Sequence, residues 1–325
     1  MHRDPGGRVV RATSFDGREW GYEYDPSGQI SAVEAVAGGE TRVTRLTRDA
    51  AGRIVGRTRS DGAVLSFSYD YAGRLVCAKS PDNELKITYD ACGRVLSEEQ
   101  GGRVARFTYD SDGRRTSRVS PWGARTEYAY DRAGNLTNVR WPTDSVAMSY
   151  DAAGRVVARD LPGGLKESRE YDVAGLLARQ TVRGRGAVVV GREYRYDVEG
   201  RLVELRSAGG RSDRYSYDPT ERLSEATRAD GVVETYAFDP TGNLSRRGTT
   251  GFTYERGDRI RSRGAEQVEH DVWGNVVAVA TASGTNRFEY DVDHRLVAHV
   301  APDGRRTEYR YDAVGRRCAK AGPDG

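Results

Sequence analysis

The chain has 325 residues, of which 30% are charged and 37% hydrophobic, yet the net charge is only +3. That balance argues against a nucleic-acid-binding field, and a mean hydropathy of -0.71 leaves too little aliphatic material for conventional three-layer α/β packing. With 39 Gly and 19 Tyr in a regular pattern, it is not the composition of a disordered chain either.

In chain order, one unit is written again and again. Residues 89–113 read YDACGRVLSEEQGGRVARFTYDSDG: Tyr-Asp-x-x-Gly-Arg-aliphatic, a polar run, a second Gly-bearing turn, then an aromatic-x-Tyr-Asp that opens the next copy. The leading acid falls at positions 4, 25, 49, 70, 90, 110, 131, 151, 172, 197, 218, 239, 255 (as Glu), 271, 291 and 312, which makes sixteen copies. Most steps are 20 or 21 residues; one of 24, one of 25 and two of 16 are the exceptions. A period of this kind overrides any domain count taken from length, so residues 1–325 are expected to be a single array.

The third residue after the acid is Gly in thirteen copies. Asp followed by Gly at that spacing is what a type I turn closed by a left-handed residue requires: the carboxylate accepts from turn N–H groups, and Gly takes a positive φ without a Cβ clash. The pairs Asp70 and Gly73, Asp90 and Gly93, Asp110 and Gly113, Asp151 and Gly154, Asp197 and Gly200, and Asp312 and Gly315 are assigned this turn role. Of the exceptions, Asp258 and His294 tolerate the left-handed region, whereas Glu221 does not and is expected to mark an altered turn. Before the turn, Tyr109, Tyr130, Tyr196, Tyr217 and Tyr311 each follow an aromatic two residues earlier, so both rings lie on one face of a strand. These Tyr are assigned packing and ladder roles. A second turn halfway through each copy, such as Asp61-Gly62 or Gly209-Gly210, completes a β-hairpin. Sixteen hairpins give about thirty-two antiparallel strands, on the order of 150 Å of strip at about 4.8 Å per strand, which has to curl.

Candidate chemistry is sparse. Cys77, Cys92 and Cys318 lack metal or disulfide spacing and occupy ordinary repeat slots. His270-Asp271 and Asp291-x-Asp293-His294 resemble acid/base or metal clusters, but their register makes His270 a substitute for the repeat Tyr and His294 one for the turn Gly. His2 and His299 stand alone. Residues 184–191, GRGAVVVG, lack the Lys-Ser/Thr of a phosphate loop and read as an elongated hairpin. No catalytic residue, cofactor or metal follows. Nor is there a signal peptide or an apolar run long enough to span a bilayer.

The units YDYAGRL, YDACGRV, YDAAGRV, YDVEGRL and YDAVGRR closely resemble the YD-repeat or Rhs (rearrangement hotspot) family, which includes bacterial polymorphic toxins, components of insecticidal toxin complexes, wall-associated proteins and teneurins. Residues 239–325, with FTYERGDRIRSRG, HDVWGNVVAV, FEYDVDHRLVAHVAPDG and YRYDAVGRRCAK, resemble the end of a bacterial repeat array before its core. The resemblance implies an all-β, curled or spiral strip of hairpins forming part of a hollow shell. It also implies a non-enzymatic role, encapsulating a C-terminal toxin, and an array cut at both ends, since the self-cleaving core and toxin lie outside this sequence. The partners it implies are the enclosed toxin, the remaining shell sequence and secretion-system components, with export to the outside or cell surface. The alternative is an extracellular adhesive array that binds glycans.

Overall fold

A computed structural model describes residues 1–322; residues 323–325 of the expected array lie outside them. The architecture is all-β. Among the described residues thirty-two strands run from His2–Arg3 to Arg317–Ala321, and a single 3-10 turn, Pro162–Gly164, sits at one hairpin end. Contacts divide the chain into two compact units, Met1–Val104 with Gly251–Gly325, and Ala105–Thr250. Within each, strands pair antiparallel with their sequence neighbours, as from Glu19–Tyr24 to Ile30–Ala37 to Glu40–Arg48 in the first and from Leu136–Trp141 to Asp144–Tyr150 to Val156–Leu161 in the second.

One hairpin shows why the sequence folds this way. In the strand Asn83–Tyr89, Leu85, Ile87 and Tyr89 share the more buried face, while Lys86 and Thr88 are exposed, the period-two alternation of a strand with one covered side. The turn then closes by two main-chain bonds, Asp90 N–H to Arg94 O (2.9 Å) and Gly93 N–H to Asp90 O (3.0 Å). Gly93 takes a φ of 86°, the left-handed conformation that matches the turn to the twist of the flanking strands. On the return strand, Val95 pairs with Tyr89 but Ser97 pairs with Thr88, so Leu96 is an extra residue. The same shift recurs beside Tyr69, Tyr109, Tyr130, Tyr150 and Tyr311, a bulge that adds local bend and twist to every copy.

The turn beginning at Asp218 is not altered, contrary to expectation. Glu221 adopts a φ of 67° and closes the same frame, with Asp218 N–H to Arg222 O at 2.8 Å and its own N–H to Asp218 O at 2.9 Å. The turn's hydrogen bonds impose the left-handed conformation on a residue that does not favour it. His294 follows suit at 61° and Asp258 at 55°. Residues 184–191 do form an elongated hairpin, Leu177–Gly184 with Ala187–Tyr196, turning through Arg185 and Gly186. Several second turns also repeat the geometry of the first: Arg59 N–H meets Ala63 O and Gly62 N–H meets Arg59 O, both at 3.0 Å.

Apolar depth is slight. Among the described residues, nine of the thirteen buried apolar side chains are Ala, each burying little area. Two small clusters stand out, both in the first unit: Leu65, Ala78, Leu85 and Ala313, and Ala35, Ala37 and Trp273 with Trp20 against them.

Glu221→Gly should relieve left-handed strain and stabilise its hairpin by about 1 kcal/mol, whereas Gly93→Val should weaken its own by roughly 1–3 kcal/mol. Hydrogen exchange of the flanking strand amides is the measurement; no change in protection at either hairpin would contradict the strain assignment.

Candidate functional site

Each Asp of the Tyr-Asp turn is shared between backbone and side chain. Asp90 Oδ1 accepts the N–H groups of Cys92 and Arg94, both at 2.9 Å, while Oδ2 accepts Arg94 Nε at 2.6 Å. The same three bonds form at Asp70, Asp110, Asp151, Asp197 and Asp312. The Arg so held reaches the next copy. Arg74, fixed by Asp70, lies 4.8 Å from the Tyr89 ring centroid and donates to Asp90 O at 3.1 Å. Tyr89 in turn donates its hydroxyl back to Leu75 O at 2.8 Å.

This clamp is repeated around Tyr130, Tyr217 and Tyr311, whose rings lie under Arg114, Arg201 and Arg295 and whose hydroxyls donate to Arg115 O, Leu202 O and Leu296 O. Tyr196 keeps the hydroxyl bond to Leu177 O, at 3.0 Å, although the preceding copy supplies Leu176 where an Arg would stack. Tyr109 ends the strand Arg103–Tyr109, in which Arg115 covers Phe107, 4.4 Å from its ring. Each exposed ion pair or cation–π contact contributes little by itself. Their weight lies in repetition.

Electrostatics follow from these bonds. The Arg94 N–H, with the Arg94 guanidinium outweighing the opposing effect of burial, holds the Asp90 carboxyl below its ordinary range. Asp70 and Asp151 are lowered for the same reasons. At Asp218 the Thr220 hydroxyl leads, followed by the Arg222 N–H.

A second arrangement joins distant copies inside the first unit, where late Tyr-Asp turns lie on the second-turn ends of early hairpins. Gly257 faces Asp16, and the Arg256 guanidinium faces Gly17. Trp273, 3% exposed, receives Arg18 Nη1 on its carbonyl at 2.8 Å, donates its indole N–H to Glu40 at 2.7 Å and lies under Arg42. Asp293 is gripped by Arg57 and by Arg59, the latter at 2.8 Å. Burial pushes the Asp293 carboxyl up, but the hydrogen bonds from Arg57 and Arg59 win and leave it lowered. Asp312, 1% exposed, accepts Gln100 Nε2 at 3.0 Å, while Arg316 reaches Glu98 at 3.1 Å. These partners are 212 to 255 residues apart in the chain.

The His and carboxylate clusters resolve into these frameworks. His270 lies 3.4 Å from Glu255 in the Tyr slot, and His294 Nδ1 lies 3.0 Å from Asn275 Oδ1, its ring edge-on to Trp273. Burial, then the Arg42 charge, pushes the His294 imidazole below its usual value. His299 is not isolated: it stacks on Phe288 and meets Asn286 at 2.9 Å. The three cysteines are free thiols. Among the described residues no group of three or more His, Cys, Asp or Glu is placed to hold a metal ion, and no helix is long and apolar enough to cross a membrane. The junction residues Trp273 and Asp293 were missed as a site in sequence, although both fill a turn slot that holds Ala51, Ala72, Ala153 and Ala174 in other copies.

The family model of the teneurin YD-shell matches residues 54–169 and 163–325. The chain belongs to the YD-shell family. Solved structures with this YD-shell fold include the TcdB2-TccC3-Cdc42 crystal structure, 16% identical with a TM-score of 0.64, in which 98% of this chain aligns with 20% of that one. The TcdB2-TccC3-TEV structure matches at 17% identity and a TM-score of 0.65, over 99% of this chain and 19% of that one. The Tc holotoxin pore of Photorhabdus luminescens matches at 14% and 0.57, over 96% and 22%. This YD-shell chain thus spans about a fifth of the solved chains it resembles. No curated protein matches it in sequence.

Two outcomes are expected. Because the turn carboxylates are lowered in the folded state, their stabilisation is complete above the ordinary carboxylate range and is lost as pH falls through the lower folded values. Melting temperature should therefore drop most steeply below about pH 4; a steep fall between neutrality and mildly acidic pH would contradict the clamp. Asp293→Ala removes the carboxylate shared by Arg57 and Arg59, of which Arg59 keeps Asp61 at 2.6 Å, and should destabilise the first unit by about 1.5–3 kcal/mol in chemical denaturation.

Proposed function

We propose that this YD-shell chain is a non-enzymatic segment of a shell that encloses and shields a toxin domain made on the same polypeptide. One observation carries this reading: the side chains that recur, Asp, Arg and Tyr, are engaged with one another from copy to copy, which builds a wall rather than a cleft. The fold likeness to TcdB2-TccC3 chains about five times longer supports a part in a larger assembly. Its partners are then the enclosed toxin, the remaining shell sequence and the secretion-system components that deliver it outside the cell or to the cell surface. Residues 239–325 form the end of the array ahead of the core, in an array that continues beyond both ends of this sequence.

The adhesive reading needs bare aromatic faces for glycans to stack on. Guanidinium groups lie over Tyr24, Tyr69, Tyr89, Tyr130, Tyr171, Tyr217 and Tyr311, which favours the shell.

The test is protease digestion of the full-length gene product carrying an epitope on its downstream domain. The downstream domain should survive while the strip is folded and be cleaved once it is denatured, and a glycan array should stay blank. Cleavage of the downstream domain around an intact strip would defeat the proposal.

A further inference from the structure

The junction in the first unit has a fixed offset. The copies that open at Glu255, Asp271, Asp291 and Asp312, thirteenth to sixteenth in the array, lie on the hairpin ends of copies one to four, twelve copies earlier. The main chain of the turns does not select this offset, because the bonds that close Asp271, Asp291 and Asp312 are those that close Asp70 and Asp90. Discrimination falls to side chains that differ between copies.

Each late tip meets a different chemistry. The fourteenth is held by Arg18 on one side and by Glu40 and Arg42 on the other, with Trp273 between them. The fifteenth takes Arg42 on the Val292 carbonyl at 3.3 Å, and Arg57 and Arg59 on Asp293. The sixteenth sets Ala313 among Leu65, Ala78 and Leu85. A slip of one copy breaks these matches in both directions. Moved on, Asp293 would leave its two guanidinium groups for the ground where Ala313 packs, bringing a carboxylate to apolar side chains. Moved back, it would stand where the Trp273 indole now donates to Glu40, carboxylate facing carboxylate, with Arg42 alone in place of the Arg57 and Arg59 pair. Trp273 loses Glu40 either way.

We propose that Trp273 and Asp293 set the docking register of the strip on itself, each read by one early hairpin, so that late copies seat twelve copies back and nowhere else. They are specificity residues in this role, selecting among receiving turns that the repeat would otherwise leave alike. The assignment does not depend on what the strip encloses.

The test is a distance measurement by pulsed electron paramagnetic resonance on the full chain. Spin labels go on Lys86→Cys and Arg263→Cys, whose native side chains are 52% and 57% exposed, with Cys77, Cys92 and Cys318 replaced by Ser. One hairpin is two strands wide, so a slip of one copy displaces the pair by roughly 5–10 Å. The otherwise native chain should give one narrow distance. Trp273→Ala with Asp293→Ala, which restores the alanine that other copies carry in that slot, should add a second maximum displaced by that amount while circular dichroism stays unchanged. Should the alanine pair misfold, Trp273→Phe with Asp293→Asn keeps the size of both side chains and is read the same way. A folded variant that keeps the single native distance overturns the proposal, and so does more than one register in the chain that retains Trp273 and Asp293. Distances that spread without a displaced maximum would make the two residues adhesive only, and overturn it as well.

Discussion

One carboxylate per copy holds the architecture together. With one oxygen it ties down the turn's N–H groups; with the other it orients an Arg, which then covers the next Tyr and reaches the next Asp carbonyl. The Tyr hydroxyl returns a bond to the copy before. Each hairpin is thus completed by its neighbour, and stability along the strip is a sum of copies and their contacts. Few of these terms are large alone, since ionised hydrogen bonds near the surface are weakened by water. A strip whose buried apolar residues are mostly Ala has little else to draw on.

The hairpins were legible because their determinants are local. Asp90 and Gly93 announce the turn wherever they occur, and Leu85, Ile87 and Tyr89 announce the covered face. Glu221 misled for an instructive reason. Residue preference pointed away from the left-handed region, but the bonds across the Asp218 turn are worth more than the preference.

The junction was not legible, because its residues are defined by partners more than two hundred positions away. Asp312 and Asp90 occupy the same slot of the same motif, yet only Asp312 is reached by Gln100 and sealed from solvent. Nothing within a single copy distinguishes them. Trp273 and Asp293 are visible as departures from a small-residue slot, but the departure does not say what they touch. His270 and His294 look chemical in isolation, but register alone reads them as substitutes inside the frame, and their contacts agree.

The two ranges of contact also separate in time. A Tyr hydroxyl finds its carbonyl 14 to 19 residues back, so a hairpin emerging from the ribosome can lock as soon as its successor follows. Gln100 and Arg18 wait far longer, until turns 212 and 255 residues later have been made. Closing so long a loop adds only a slowly growing entropy cost once the intervening hairpins exist. Synthesis of these hairpins therefore proceeds as a string of small, early commitments followed by a late one, and the early second turns stand uncovered until the late turns emerge.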